Sequence, residues 1–346
     1  MEYYAGLDVS PKEISICVVD KDGKTVARGV CPADPDGVAG WFRNRDLTPR
    51  RIVHESGMLA IWLRRGLASL GLPATCIDAR KAHKSLSARL NKSDAADAEG
   101  LSQLARTGWF TPVHIRSAEA DRLRSLVGAR ERLIRLRKDL EGHIRGVLKT
   151  FGIRMIGIGQ GRQRQAFRDQ LAAAGKTDPA LRIIADAFIA THSKLCQVVD
   201  DLDKAVRKTA KVHPVARRLM TIPGVGPVNA LSFIALVDDP DRFSRTSDVG
   251  AFLGLTPKRH QSGEMDWSGR VSKCGDGAMR GLLFEAASSV IHQVKRFSRL
   301  KSWAMRLAGR RGFCKAAVAT ARKIAVLMLT LWKNGTDYQW TKEATA

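Results

Sequence analysis

Hydrophobic and polar positions change rhythm along the chain. Near the start, Tyr4-Ala5-Gly6-Leu7-Asp8-Val9 is a short apolar run. Ile14-Ser15-Ile16-Cys17-Val18-Val19-Asp20 alternates, with Pro11-Lys12 in the tight connection between them. Both patterns predict strands. Asp22-Gly23 predicts a hairpin turn into a third antiparallel strand over 25–30. A helix with Trp41 and Phe42 on its apolar side follows, then a buried strand over 51–54 that ends at Glu55. An amphipathic helix over 58–70, a strand over 74–77 and a helix over 79–90 complete the segment. Three antiparallel strands followed by strand-helix alternation predict an α/β, RNase H-like domain over residues 1–115.

From Ser117 the period lengthens. Leu126, Leu133, Leu140 and Val147 recur every seven residues, with Leu123, Ile144 and Phe151 at the companion position and Arg130 and Arg137 interrupting the seam. Residues 152–161 hold four glycines and no helical stripe, which predicts a loop. A second stripe, Leu181, Phe188, Leu195 and Leu202, predicts the return arm of a coiled-coil helical hairpin over 116–214. The remainder, 215–346, reads as mainly α. Its opening, Thr221-Ile222-Pro223-Gly224-Val225-Gly226-Pro227, is similar to a helix-hairpin-helix, where Gly224 and Gly226 would let backbone approach a phosphate; a tight turn between packed helices is the competing reading.

Charge narrows the class of partner. The net charge is +24, and residues 1–115 carry 16 Lys+Arg against 13 Asp+Glu, so +3 belongs to them and +21 to the rest. That asymmetry is the footprint of a phosphate-backbone binder. Between Arg116 and Gln165 there are 13 Lys+Arg against 5 Asp+Glu; between Lys295 and Lys323 there are ten and no acid, with Phe297, Trp303 and Phe313 interleaved. Membrane adsorption has less support: no basic amphipathic terminus stands out, and the apolar run over 324–332 is too short to span a bilayer. Six cysteines without CxxC or Cys/His ligand spacing, and a start without a signal peptide, predict a reduced, cytoplasmic protein without structural zinc.

The candidate chemistry lies in isolated carboxylates. In Lys92-Ser93-Asp94-Ala95-Ala96-Asp97-Ala98-Glu99-Gly100, Ser93 can cap a helix on which Asp94 and Asp97 stand one turn apart. Asp8 closes the first strand and Glu55 the first strand after the hairpin. Ligands gather at strand C-terminal ends in open α/β sheets, so the four acids can converge, and four carboxylates at one edge need a divalent cation to coexist. Taken singly, each also reads as a solvated helix face, a turn residue or an acid facing a helix dipole. Two Mg²⁺ ions there would clamp the attacking and leaving oxygens of a phosphodiester.

Gly6-Leu7-Asp8-Val9-Ser10, Val53-His54-Glu55-Ser56-Gly57 and Lys92-Ser93-Asp94-Ala95-Ala96-Asp97-Ala98, in that order, resemble the DEDD signature of the IS one-ten family of insertion-sequence transposases, the bridge-RNA-guided recombinases. The resemblance continues through Asp248-Val249-Gly250-Ala251-Phe252-Leu253-Gly254-Leu255-Thr256-Pro257, Gln261-Ser262-Gly263 and Gly269-Arg270-Val271-Ser272-Lys273-Cys274-Gly275-Asp276. It implies Asp8, Glu55, Asp94 and Asp97 as Mg²⁺ ligands and Ser262 as a nucleophile, with Ser268 and Ser272 as rivals. It also implies that the first domain is RuvC-like, a C-terminal transposase domain, a structured guide RNA, and a tetramer built from dimers on element-end and target DNA in the nucleoid. Lys258, Arg259, Arg270 and Lys273 could hold the phosphate, and His260 could take the serine's proton, though a phosphate-contacting or exposed role suits it better. The acidic Glu264-Met265-Asp266 beside the serine fits DNA poorly. The reading is a site-specific DNA recombinase. Its alternatives are a hydrolytic, Holliday-junction-resolvase-like nuclease and a non-enzymatic nucleic-acid binder; a sugar-kinase-like ATPase lacks its second glycine-rich loop.

Overall fold

The computed structural model describes residues 1–86, 93–155, 161–176, 178–263 and 265–340, with Ser85, Leu86 and His260 as backbone only. Part of the helix expected over 79–90, Lys92, part of the glycine-rich loop and Glu264 lie outside the described residues. The chain forms two compact units, Met1–Arg116 and Ser117–Ala346.

The first unit is a five-stranded sheet. Strands β1 (Tyr3–Val9), β2 (Glu13–Val19) and β3 (Thr25–Pro32) pair antiparallel; after α1 (Pro35–Arg43), β4 (Pro49–Glu55) pairs parallel to β1. Following α2 (Ala60–Ser69), β5 (Ala74–Ile77) pairs parallel to β4; α3 (Ala79–Leu86) and α4 (Asp94–Thr107) complete the unit. The resulting order, β3-β2-β1-β4-β5, is that of an RNase H-like sheet. Alternation along each strand feeds two cores. Ala5, Leu7, Ile16 and Ile52 pack with Trp41, Phe42, Leu63 and Leu67 of α1 and α2. Tyr4, Cys17, Val53 and Ile77 pack with Ala98, Leu101 and Leu104 of α4 on the opposite face.

Among its described residues the second unit is helical apart from one two-stranded ribbon. Ser117 caps α5 (Ala118–Thr150), accepting a hydrogen bond from the Ala120 amide at 3.0 Å. A short α6 (Arg162–Ala174) leads to α7 (Pro179–Val212). The hairpin is present, but its seam differs from the leucine stripes. Its buried positions are Ala120, Leu123, Glu141, Ile144 and Leu148 on α5, and Leu181, Ala185, His192, Cys196, Val199, Val206 and Ala210 on α7. Leu126, Leu133, Leu140, Val147, Phe188, Leu195 and Leu202 are only half-buried, and Phe151 is exposed. The physical reason is that α5 and α7 do not zip along two equal seams. At one end Ile144 and Leu148 join α6 through Phe167 and Leu171, and at the other Leu123, Val206 and Ala210 enter the main core. Between them polar groups join the helices, Arg130 of α5 with Asp203 of α7 and His192 Nε2 of α7 at 3.1 Å from Glu141 Oε1 of α5, while Arg137 pairs with Glu141 within α5.

The main core gathers α8 (Pro214–Leu219), α9 (Pro227–Val237), α10 (Asp248–Phe252), α11 (Gly277–His292), α12 (Arg299–Arg311) and α13 (Phe313–Asn334). Between α10 and α11, β6 (Pro257–Ser262) and β7 (Met265–Val271) form an antiparallel ribbon. No helix among the described residues is long and apolar enough to cross a membrane.

Candidate active site

Asp8 is the penultimate residue of β1 and Glu55 the last of β4. The parallel register pairs Leu7 with His54, so Asp8 and Glu55 follow one step beyond, side by side at the C-terminal edge. Alternation puts both on the face that carries Tyr4 and Val53, the face covered by α4.

The direction of α4 is what brings the other two acids to that edge. Arg51, opposite Tyr4 at the start of the pair, donates from Nη1 to the Ala105 carbonyl at 2.8 Å, near the end of α4. Gly6, further along β1, faces Ala98: a Cβ there would stand 2.2 Å from the Ala98 carbonyl oxygen and 2.3 Å from the Ser102 nitrogen. The helix therefore runs antiparallel to β1, and its first turn, with Asp94 and Asp97, returns toward the edge bearing Asp8 and Glu55. Gly6 permits that approach; a glycine inside a strand was the one sequence signal for it. Ser93 is the N-cap, its Oγ accepting from the Ala96 amide at 3.3 Å.

The carboxylates on that edge and on the turn of α4 that returns toward it are hard-oxygen donors, the chemistry that suits a divalent cation of the Mg²⁺ kind. Among the described residues no three acidic, His or Cys side chains are already drawn around a metal-sized space. On the other face His54 is fully buried, with Nδ1 donating to the Glu55 carbonyl oxygen at 3.2 Å and Nε2 without a partner. Burial pushes its pKa down to about 4, helped by the Arg64 charge and opposed by the Glu55 carbonyl. The ring is thus neutral at pH 7 and serves the strand rather than the acids.

The second set of candidates lies on the ribbon, which sequence patterning did not reveal because neither of its faces is buried. Ser262 is the last residue of β6, opposite Met265, and His260 is opposite Trp267. Paired residues share a face, so Ser262, Met265 and Trp267 lie on one side. Lys258 joins them: a Cβ at Gly269 would be 3.9 Å from Lys258 Cβ and 3.2 Å from Trp267 Cζ3. Arg259 and Ser268 are opposite each other on the other face. There Arg259 holds Asp266 in a two-point ion pair, Nε to Oδ1 at 2.9 Å and Nη2 to Oδ2 at 2.6 Å. That pairing neutralises the acid that made the segment look ill-suited to DNA. It raises the guanidinium pKa and lowers the carboxyl's. Arg270 and Lys273 are exposed, and Lys273 adopts φ +55°. Ser272 lies beyond β7, its amide donating to the Thr256 carbonyl at 2.9 Å.

The ribbon's root is clamped by two glycines. A Cβ on Gly254, at φ +66°, would fall 2.0 Å from the Cys274 carbonyl oxygen, and one on Gly275, at φ +84°, would fall 2.2 Å from that of Phe252. Arg280 Nη1 spans the same junction, donating to the carbonyls of Leu253 at 3.3 Å and Cys274 at 2.9 Å. At the other glycine-rich turn, Gly224 is explained by packing: its φ is +81°, and a Cβ would lie 2.4 Å from the Ala286 carbonyl oxygen of α11. Gly226 has open space around its Cα and precedes Pro227 at the start of α9.

Two family models match the chain. A transposase model of the DEDD IS110 type covers residues 5–153, and the model described as "Transposase IS116/IS110/IS902 family" covers 216–302. Among related proteins, the one described as "Putative transposase y4pF/y4sB" of Sinorhizobium fredii is 34% identical over 72% of this chain and 64% of its own length. The transposase for insertion sequence element IS1111A of Coxiella burnetii is 28% identical over 96% of this chain and 90% of its own. A family 20 transposase of Pseudomonas aeruginosa is 28% identical over 96% and 98%. Thermus thermophilus RuvC aligns with 33% of the chain at 15% identity and a TM-score of 0.25, so the fold assignment rests on strand order instead. The chain belongs to the IS110 family: it is a DEDD-type insertion-sequence transposase, an enzyme that acts on DNA.

Proposed function

We propose that this transposase exchanges DNA strands through a phosphoserine intermediate, with Ser262 as nucleophile and Asp8, Glu55, Asp94 and Asp97 as ligands of Mg²⁺. The observation that carries the reading is the antiparallel course of α4 over β1, which returns Asp94 and Asp97 toward the edge that bears Asp8 and Glu55. Bound there, Mg²⁺ would supply positive charge to the oxygens of a phosphodiester.

Ser262 is exposed at the end of β6, with Lys258 further along its own face; Arg270, on the face of Ser268, and Lys273, beyond β7, are exposed and would add charge for phosphate. Its Oγ forms a bond to phosphorus as the bond from phosphorus to the DNA 3′ oxygen breaks. The serine proton passes to solvent, and the departing oxygen is protonated to a 3′ hydroxyl. One phosphodiester replaces another, so a 3′ hydroxyl of a partner strand can attack the phosphoserine and restore Ser262. Ser268 is the weaker nucleophile because it lies on the opposite face beside the Arg259–Asp266 pair.

Partners follow from charge and family. The basic second unit engages element-end and target DNA, and the Gly226 turn at the start of α9 acts as a helix-hairpin-helix contact with backbone phosphate. A guide RNA selecting the target by base pairing, and a tetramer built from dimers in which one subunit's acids meet another's serine in the bacterial nucleoid, enter through family membership.

The test is an adduct assay on DNA spanning an element end, using the protein with its co-purified RNA. Wild type with Mg²⁺ yields a covalent protein–DNA adduct, and chelation removes it. Ser262→Ala yields none, and Asp8→Asn lowers the yield by about 100-fold or more. Strand cleavage that persists in Ser262→Ala would make the enzyme a hydrolytic nuclease; an unchanged yield in Asp8→Asn would remove the acid set from the chemistry.

A further inference from the structure

We propose that a cavity beside β5 seats one extruded DNA base against Trp109, next to the phosphate that is cut. The proposal rests on Asp8 and Glu55 marking the edge where DNA is cut.

The cavity belongs to the first unit alone. It has a volume of about 160 Å³, is partly open, and lies between β5, α3, the end of α4 and the turn that follows. Its apolar walls include Ile77, Leu104 and Phe110, and its polar groups include Asp78 and Thr111. A cavity of about 150 Å³ admits one benzene ring, so this one has room for a single flat ring system and is too small for a bulky ligand. Trp109 lines it and is still 78% exposed. Alone, an exposed Trp says little. At a ring-sized cavity it is one wall of a stacking site, and the polar groups beside it can meet the edge of a base.

Charge favours a nucleotide over an apolar side chain of a protein partner. Residues 1–115 total only +3, yet 79–84 hold Arg80, Lys81 and Lys84, all exposed, and no acid. Lys81 reaches the cavity itself, its Nζ donating to Thr111 Oγ1 at 3.0 Å. A flat group that carries a phosphate uses both the ring-sized space and these cations.

The sheet register sets the cavity next to the acids. Glu55 lies opposite Ile77, on the face covered by α4, and the amide of Ser56 donates to the Ile77 carbonyl at 2.9 Å. On its other side Ile77 bridges Pro112, just after the turn that carries Trp109. The cavity therefore begins one strand spacing, about 5 Å, from Glu55. A strand whose phosphate lies at the acid edge can deliver the base of an adjoining nucleotide once that base leaves the stack, and the indole replaces the stacking it loses. Trp109 positions the substrate in this scheme and takes no part in bond making.

The experiment uses full-length protein with its co-purified RNA and duplex DNA spanning an element end, with nucleotides around the cut phosphate replaced one at a time by an abasic analogue. On intact DNA, Trp109→Ala should bind about tenfold more weakly than wild type, and Trp109→Tyr should stay within about threefold. At one abasic position adjoining the cut, the difference between wild type and Trp109→Ala should vanish, because base and indole form a single interaction. Thermal midpoints of the variants should match wild type, since the side chain is exposed. Binding by Trp109→Ala equal to wild type would overturn the proposal. So would weakened binding that no abasic position in the DNA cancels, the result expected if RNA or a second copy of the chain fills the cavity. If Trp109→Ala behaves as wild type while Asp8→Asn stops cleavage, only the base seat fails. If Asp8→Asn cleaves as wild type does, it is the acid-edge reading that fails.

Discussion

His54 shows how one buried side chain ties this fold to pH. Its pKa falls from 6.5 to about 4 in the folded chain, chiefly through burial. A base whose folded pKa is depressed takes up its proton first in the unfolded chain. Its contribution to stability is therefore complete above about pH 6.5 and is lost as pH falls toward 4, by about 3 kcal/mol at most. Denaturant unfolding of wild type and His54→Leu at pH 7.5, 5.5 and 4.5 should show a steeper loss in wild type; parallel curves would contradict the assignment. Cysteines divide in the same way. Cys31 and Cys76 are buried with thiols pushed up to about 11 by burial, Cys17 and Cys196 are buried, and Cys274 and Cys314 are exposed. Native protein treated with iodoacetamide should be modified at Cys274 and Cys314 only, and all six should react once it is unfolded. At this scale Asp8 stands out in the sequence as a candidate, because a carboxylate within an apolar strand such as β1 is out of place. The Arg259–Asp266 pair does not, since its meaning depends on cross-strand register.

Among elements, the two on which the proposed chemistry depends are α4 and the ribbon, and each is held by glycine. Gly6→Ala drives a methyl into the backbone of α4, and neither strand nor helix can yield cheaply; a loss of about 3 kcal/mol or more is expected, with metal-dependent cleavage lost as well. Gly254→Ala acts at the ribbon's root, where the new Cβ would meet the Cys274 carbonyl oxygen. Cleavage should disappear while far-ultraviolet circular dichroism is unchanged, since the ribbon adds little to the helical core. Retained cleavage in Gly254→Ala would mean that the ribbon's placement is immaterial. The elements of the first unit were legible because β1, β2, β4 and β5 each bury a face and so alternate or run apolar. The ribbon was not legible, since Pro257 to Val271 has no buried face to impose a period. The hairpin was legible as two long helices, and its seam in part: Leu123, Ile144 and Leu181 are buried, but so are Glu141 and His192, which pair across the interface, and Cys196, which contacts His192 within α7.

Over the whole molecule, charge and chemistry are divided between two units. The first unit carries the four acids and a nearly balanced charge, and the second carries most of the positive charge and Ser262. DNA affinity should consequently fall steeply with salt. Replacing Lys258 and Lys273 together by Ala should reduce the slope of log affinity against log salt by about 2, whereas Asp8→Asn leaves the slope unchanged. A slope insensitive to the two lysines would remove the ribbon from the DNA-binding surface. The central claim, that a serine of the basic unit becomes linked to DNA, is tested most directly by mapping the adduct. Tryptic digestion of the trapped complex releases the peptide from His260 to Arg270, which contains both Ser262 and Ser268. Fragmentation is predicted to place the nucleotide phosphate on Ser262. A nucleotide on Ser268, or cleaved DNA with no nucleotide on any serine, would contradict it.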